Sequence, residues 1–244
     1  MKKLLVIVPI WNKEEFLERT LEGILQQTFQ NFEVVLIDDF STDNSLKVIE
    51  PYLKDERITL FQNNKNKGCY YTRNKGLFEF KDKEWDYFTI HDSDDISDLR
   101  RFQHFIDTFE ADPSLVYLKS TSINYDFKTN KPILKDNGAP NTFTGEGTAF
   151  ISRKLFNTIG YFDDTRFSGD TDYLWRAEAL CNTIKPKWRV GESKEILYIN
   201  YSHENNITKL YDWHTMRPNY WAKIRNEIQN KMIPNNNFRR KFEL

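Results

Sequence analysis

The first half of the sequence alternates apolar runs with amphipathic segments, and this alternation most limits the folds open to the chain. Four runs predict buried strands, at residues 4–8, 32–37, 58–61 and 85–90. Apolar residues at helical spacing lie between the runs: Leu17, Leu21, Ile24 and Leu25, then Leu46, Ile49 and Leu53, then residues 71–80. Strands that alternate with helices predict an α/β fold with a parallel, Rossmann-like sheet.

Polar residues indicate where two of these helices begin. Asn12 and Glu15 have the spacing of a capping box, and Ser41-Thr42-Asp43 offers cap side chains for the second helix. Further elements are expected at residues 102–109 (helix), 115–118 (strand), 145–151 (strand), 153–159 (helix ending at Gly160) and 172–180 (helix). The polar stretch 126–141 predicts a surface excursion.

Composition excludes several classes of protein. The length of 244 residues suits one large α/β domain or two small ones, and 39% hydrophobic residues are enough for a core. Because 35 basic residues nearly balance 36 acidic ones, a nucleic-acid-binding role is not expected. Two distant cysteines favour a reduced, cytoplasmic protein. The apolar start is interrupted at Pro9 and Asn12 and predicts a strand rather than a signal peptide.

Three carboxylates follow the fourth apolar run, in Asp92-Ser93-Asp94-Asp95. The carboxyl end of a strand is where open α/β sheets bind ligands. Such crowded carboxylates repel one another unless a cation lies between them, and their oxygens suit Mg²⁺ or Mn²⁺. A solvated acidic turn is the plainer alternative.

The first strand-to-helix turn, Pro9 to Asn12, contains no glycine, so neither a dinucleotide fingerprint nor a P-loop is present. The phosphates of a bound nucleotide would then be neutralised by the metal. Trp11 could stack on a base, and Asp38 or Asp39 could accept hydrogen bonds from a base or ribose. As plainer alternatives, Trp11 would be a core aromatic and Asp39 a helix cap.

A set of ordered motifs resembles the inverting family 2 glycosyltransferases of the GT-A fold, and is similar to a bacterial spore-coat polysaccharide glycosyltransferase. The motifs are Val8 to Asn12, Leu25 to Phe29, Ile37 to Asp43, Asn66-Lys67-Gly68, Arg73 to Gly76, Asp92 to Asp95, Gly147 to Phe150, Gly169 to Arg176 and His203 to Thr208. The resemblance implies a single GT-A domain with a mostly parallel central sheet flanked by helices.

The resemblance also assigns roles to individual residues. It places Asp170 as the catalytic base, and Asp94, Asp92 and His203 at a Mn²⁺ or Mg²⁺ ion. Around the donor nucleotide it places Pro9, Trp11, Asn12, Asp39, Arg73, Asp92 and Ser93. The chain departs from the usual Glu-Asp pair, with Gly169 before Asp170. Without the resemblance, Asp170 would be read as a helix cap and His203 as a surface histidine.

The implied activity is metal-assisted, inverting transfer of a sugar from a nucleotide-diphosphate donor, with UDP as the expected carrier, to a saccharide or lipid-linked acceptor. Residues 1–208 would form the catalytic domain, with 1–120 as the nucleotide half and 121–208 as the acceptor half. The tail 209–244 has eight Lys or Arg against three Asp or Glu and is rich in aromatics. It is expected near the acceptor side, with peripheral contact to the inner membrane face as one hypothesis and packing on the domain as the other. A nucleotide-sugar-binding module and a sugar nucleotidyltransferase are the alternatives to a transferase.

Overall fold

A single mixed β-sheet forms the centre of the computed structural model, which describes residues 1–204, 206, 213–235 and 237–244, and only the backbone of 146, 147 and 213–215. The strands of this described part follow the order β3-β2-β1-β4-β8-β6-β9-β5, with β7 beside β6. They are β1 Leu4–Ile10, β2 Phe32–Asp38, β3 Ile58–Gln62, β4 Tyr87–Ile90, β5 Ile96–Ser97, β6 Leu115–Asp126, β7 Lys131–Pro132, β8 Thr142–Ser152 and β9 Arg189–Ser202.

Helices cover both faces of this sheet. They are α1 Leu17–Leu25, α2 Ser45–Ile49 (continued by a 3₁₀ turn, Glu50–Lys54), α3 Cys69–Glu79, α4 Arg101–Ala111, α5 Arg153–Ile159, α6 Gly169–Thr183 and α7 Trp213–Glu227. A π-helical turn, Ile228–Met232, joins α7 to the short α8, Ile233–Asn235.

The first half of the sheet is parallel, as the alternating pattern predicts. β1 pairs with β2 from Leu4 beside Phe32 to Ile10 beside Asp38, and β4 and β3 extend the sheet on either side. Residues 4–8 of β1 are buried without alternation because both faces of the sheet are covered. One core lies on each face of the sheet, and together they include nearly all the apolar residues of these strands.

The second half of the sheet contains β9, a strand that the sequence patterns do not predict. β8 runs antiparallel between β4 and β6, while β9 runs parallel to β6 and antiparallel to β5. β9 spans 14 residues, yet our sequence patterns predict no strand there. Its first part carries exposed charged residues such as Glu192, Lys194 and Glu195, so no apolar run marks it.

Two local expectations are wrong. Asn12 does not cap α1: it has a left-handed φ of 52°, and its side-chain oxygen accepts from Thr42 N at 2.8 Å, so the helix begins only at Leu17. Leu53 does not face inward, because α2 ends after five residues and the 3₁₀ turn leaves this side chain 43% exposed.

The C-terminal segment packs against the domain rather than extending from it. Ile224, Ile228, Met232 and Phe238 are buried in the core on one face of the sheet. Gly160 has a φ of 72°, and a Cβ there would lie 2.1 Å from the carbonyl oxygen of Arg240. The backbone at Arg240 therefore packs directly against Gly160. Among the described residues, no helix is both long and apolar enough to cross a membrane.

A buried ion pair on α6 connects this C-terminal segment to the Gly169–Arg176 motif. Asp172 and Arg176 are both fully buried, with Arg176 Nη2 2.7 Å from Asp172 Oδ2. Arg176 also donates to the carbonyls of Ile159, Tyr161 and Phe238. Arg240 Nη2 donates to the other oxygen of Asp172 at 3.2 Å. The carboxylate of Asp172 is thus fully engaged behind the helix.

We expect Arg176→Met to lower the free energy of unfolding by about 3–5 kcal/mol, because it leaves the charge of Asp172 buried beside fewer donors. Urea unfolding followed by circular dichroism measures this loss. Lys187→Met, an exposed change of the same kind, should cost less than about 0.5 kcal/mol. Equal stability of the two variants would contradict this account of the α6 anchor.

Candidate active site

A cleft with a volume of about 910 Å³ opens at the carboxyl ends of the parallel strands. Its lining comes from the turns after β1, β2 and β4, from the start of α6, from β8 and from the end of β9. Its lining includes Pro9, Trp11, Lys13, Asp39, Tyr70, Arg73, Asp92, Ser93, Asp94, Asp170, Trp175 and Trp221. Parallel strands place these turns at one edge of the sheet, so residues far apart in sequence meet there.

The turn after β1 presents Trp11 to the cleft. This side chain is 38% exposed, which is unusual for a large aromatic residue and leaves a ring face available for stacking. Asn12 does not line the cleft. Its backbone N–H donates to Ser41 Oγ at 3.0 Å and its side chain holds Thr42, so it ties the first strand-end turn to the second.

Asp39, after β2, is buried beneath the same part of the cleft. Its carboxylate accepts from the backbone N–H groups of Lys67 and Gly68 and from Asn63 Nδ2, each at 2.8 Å. These bonds hold the turn that leads into α3. Asp39 therefore organises this wall of the cleft, and Asp38 is turned away from it to accept from Ser41 N.

The three carboxylates after β4 have different surroundings. Asp95 is buried and accepts from Tyr201 N at 2.8 Å, and burial together with the charges of Asp94 and Asp92 raises its pKa well above the ordinary range. Asp92 pairs with Arg73 Nη2 at 2.9 Å. Burial and then the charge of Asp94 raise the pKa of Asp92, while Arg73 opposes the rise. Ser93 is buried beneath them, and its carbonyl accepts from Thr20.

Asp94 lies between two positively charged or proton-donating groups. Its Oδ2 is 2.5 Å from Lys13 Nζ and 2.9 Å from His203 Nε2. Burial raises the pKa of Asp94, but the hydrogen bond from His203 and the ammonium of Lys13 outweigh it and bring the pKa to about 2. The ring of His203 packs on Phe16, with 4.4 Å between ring centroids. Asp94 is therefore an anion whose charge is balanced by the protein itself.

The residues at Asp94 fit a divalent cation that shares its coordination with a substrate. The carboxylate of Asp94 and the imidazole of His203, whose Nε2 lies 2.9 Å from Asp94 Oδ2, are both groups that bind such ions. Within the described ranges, no group of three His, Cys, Asp or Glu side chains is placed to hold a metal. Mn²⁺ or Mg²⁺ would then take its other ligands from phosphate and water, as Mg²⁺ commonly does. It would also have to displace the ammonium of Lys13 from Asp94.

A buried histidine, His91, holds the Asp92–Asp95 turn through hydrogen bonds on its core side. His91 Nδ1 lies 3.0 Å from the carbonyl of Asp92, and Nε2 lies 2.9 Å from Ser97 Oγ. Burial and the nearby charge of Arg101 lower the pKa of His91 to about 3, so the ring is neutral. The Asp92–Asp95 turn is thus held by a neutral hydrogen-bonded ring.

Asp170 faces the cleft from the first turn of α6. Its Oδ1 accepts from Tyr70 OH at 2.8 Å and from Thr171 N at 2.9 Å. No described residue donates a hydrogen bond to Oδ2. Asp172, two residues later, is fully buried behind the helix and is therefore not an alternative base.

The structure places all but two of the predicted site residues in the cleft lining; the exceptions are Asn12 and His203. His203 contacts the site through Asp94, and Asn205, Ile207 and Thr208 of the His203 motif lie outside the described residues. Sequence reasoning missed Lys13 and Tyr70. Lys13 is the only cation in the first strand-to-helix turn, which could have marked it, whereas nothing local marks Tyr70.

Comparison with known proteins supports the motif assignment. The sequence profile described as Glycosyl transferase family 2 matches residues 5–176. The chain is 39% identical over 92 residues to the glycosyltransferase GlyG of Streptococcus pneumoniae, covering 37% of this chain and 30% of that protein. It is 37% identical over 103 residues to the putative glycosyltransferase EpsE of Bacillus subtilis, covering 41% and 36%. The matched segments thus span about a third of these relatives.

Solved structures share the fold at low sequence identity. TarS of S. aureus in complex with UDP-GlcNAc superposes with a TM-score of 0.67 and 21% identity, covering 94% of this chain and 67% of that chain. The mannosyltransferase PcManGT of Pyrobaculum calidifontis, in complex with GDP-Man and Mn²⁺, gives 0.66 and 17%, covering 95% and 67%. These superpositions confirm the expected single α/β domain of the GT-A type. Since the family profile covers well over half of the sequence, the chain belongs to glycosyl transferase family 2.

Proposed function

We propose that this protein transfers a sugar from a nucleotide-diphosphate sugar to a saccharide or lipid-linked acceptor, with inversion and with the help of a divalent cation. The observation that carries the proposal is the meeting, in one cleft, of Asp92 and Asp94 with a third carboxylate, Asp170, from another element. The first two suit the charged end of a donor. The third has an oxygen that accepts from no donor in the part of the chain that the structure describes, and it suits an acceptor hydroxyl.

The donor nucleotide would lie over the turns after β1 and β2. Trp11 offers a partly exposed ring for the base, and Asp39 fixes the turn at Gly68 beside it. Pro9, Arg73 and Ser93 complete this end of the cleft. We propose UDP as the carrier, supported by the TarS complex, with GDP as the alternative that the PcManGT complex suggests.

The diphosphate would meet cations rather than a glycine-rich loop. Lys13 and Arg73 each pair with one carboxylate of the Asp92–Asp95 turn and line the cleft. Asp94 and His203 would hold the divalent ion, which when bound stabilises negative charge on a departing diphosphate. Lys13, displaced from Asp94, would then be free to pair with a phosphate oxygen.

Asp170 would act as the general base. A carboxylate within hydrogen-bond reach, roughly 3 Å, of an acceptor hydroxyl can take its proton as the oxygen attacks the anomeric carbon. The C–O bond to the acceptor forms as the bond to the diphosphate breaks, and a single displacement of this kind inverts the configuration. Asp92 and Asp94 would thus serve the leaving diphosphate, and Asp170 would serve the attacking hydroxyl.

The two alternatives fit the site less well. A binding module has no need for a cleft-lining carboxylate with one oxygen left without a donor among the described residues, as Asp170 has at Oδ2. A nucleotidyltransferase usually has a glycine- and basic-rich first loop, and Trp11-Asn12-Lys13 supplies only one cation.

The C-terminal helix is proposed to form part of the acceptor side. Trp221 on α7 lies near Trp175 on α6, with ring centroids 6.2 Å apart, and both line the cleft. Tyr220 OH donates to Asp163. Tyr220 and Trp221 therefore pack on the domain, which favours packing over membrane contact for these two side chains. Tyr211 lies outside the described residues, as does the side chain of Trp213.

We expect Asp170→Asn to lower the transfer rate by roughly 10²–10⁴-fold, the usual loss for a general base, while the donor dissociation constant stays within twofold. The assay is release of UDP from UDP-GlcNAc, or of GDP from GDP-Man, with water or a panel of saccharides as acceptor. Asp164→Asn, an exposed change on the loop before α6, is the matched control. A normal rate for Asp170→Asn would contradict the base assignment.

We expect UDP to bind much more tightly with Mn²⁺ than with EDTA, and Asp94→Asn to remove most of this difference, because the ion would link Asp94 to the diphosphate. Isothermal titration calorimetry measures both affinities. Asp98→Asn, directly after β5 and outside the cleft lining, should behave like the natural protein. Equal affinities in Mn²⁺ and EDTA would rule out the metal assignment.

Peripheral membrane contact would rest on the exposed cations of the tail, including Lys223, Arg225, Lys231 and Lys241. We expect the protein to float with phosphatidylserine vesicles at low salt and to be released at high salt, where charge is screened. Neutral phosphatidylcholine vesicles are the control. Protein that stays at the bottom of the gradient with both vesicle types would rule out this contact.

A further inference from the structure

Gly169, where the chain departs from the usual Glu-Asp pair, is explained by the side chain of Tyr70, 99 positions earlier. An ideal Cβ on Gly169 would lie 2.7, 2.9 and 3.0 Å from three ring carbons of Tyr70. The backbone of Gly169 is not in the left-handed region, so its conformation does not require glycine. The ring of Tyr70 occupies the space that a side chain at position 169 would need.

The same ring carries the hydroxyl that holds Asp170. Tyr70 OH donates to Asp170 Oδ1 at 2.8 Å, and Thr171 N donates to that same oxygen. Two donors on Oδ1 fix the plane of the carboxylate and leave Oδ2 as the oxygen without a donor among the described residues. Without the phenol, the carboxylate would keep only the short-range bond from its neighbour's backbone.

Tyr70 is itself firmly held. Its side chain is buried, its ring lies 4.9 Å from the guanidinium of Arg73, and Phe162 packs at 6.1 Å between centroids. Burial, and then the charge of Asp170, raise the pKa of Tyr70 well above its ordinary value, so the hydroxyl remains a proton donor. Because Tyr70 and Arg73 are one turn apart on α3, this helix contacts Asp170 through one residue and Asp92 through the other.

We propose that Tyr70 is a positioning residue for Asp170, and that position 169 is glycine because any side chain there would displace the Tyr70 ring. The inference rests on the proposed role of Asp170 as the base. It assigns to this chain a linked pair, a phenol from α3 and a glycine at the start of α6.

The first test is Tyr70→Phe, which keeps the ring over Gly169 and removes only the hydroxyl. We expect kcat in the nucleotide-release assay to fall about 10- to 100-fold, because a hydrogen bond to a charged group is lost, with the donor dissociation constant within twofold. Tyr71→Phe removes a hydroxyl from the next residue, which packs on Phe242 away from the cleft, and should keep the natural rate.

A double-mutant cycle with Asp170→Asn separates this inference from the function it rests on. If Tyr70 acts through Asp170, then Tyr70→Phe should lower the residual rate of Asp170→Asn by less than twofold. A natural rate for Tyr70→Phe beside a low rate for Asp170→Asn would overturn the positioning role alone. A natural rate for Asp170→Asn would overturn the base assignment, and the positioning role with it.

The glycine is tested without any substrate. We expect Gly169→Ala to lower the melting temperature by roughly 4 °C or more, because the methyl group collides with the Tyr70 ring. In a Tyr70→Ala background the same change should leave the melting temperature unchanged or raise it, since alanine favours helix more than glycine. An equal loss in both backgrounds would show that position 169 is glycine for another reason.

Discussion

The repulsion among the carboxylates at the end of β4 is the constraint on which the rest of the site depends. Asp92, Asp94 and Asp95 fall within four residues, and each has a different partner. Asp95 is turned inward, where burial favours its neutral form. Asp92 is balanced by Arg73 from α3, and Asp94 by Lys13 from the turn after β1. Neutralising the turn therefore fixes the relative positions of three elements.

Asp170, the proposed base, and the helix that carries it are held by a second set of contacts. On the cleft side, Tyr70 orients Asp170. Behind the helix, Asp172 and Arg176 form a buried pair that also engages Arg240 from the end of the chain. One side of the helix thus faces the cleft and the other is buried in the core. This division explains why two aspartates so close in sequence have different surroundings.

Sequence alone predicts the parallel half of the fold, because residues 4–8 and 32–37 are buried on both faces and read as continuous apolar runs. It misses β9, whose exposed charged residues hide it, and it misplaces the start of α1, because Asn12 bonds to the neighbouring loop. The motifs indicate Asp92, Asp94 and Asp170, and the structure places all three in one cleft. Lys13 has a local sign, as the only cation in its turn, but Tyr70 has none, and both act through contacts across 81 and 100 positions.

The most direct test of this account is a crystal structure of the protein with Mn²⁺ and UDP, with anomalous diffraction recorded to locate the metal. We expect an anomalous peak within coordination distance of Asp94 and next to the diphosphate. We also expect Lys13 Nζ to have moved from Asp94 to a phosphate oxygen. It would be contradicted by bound UDP whose diphosphate lies away from Asp94 while the Lys13–Asp94 ion pair stays intact.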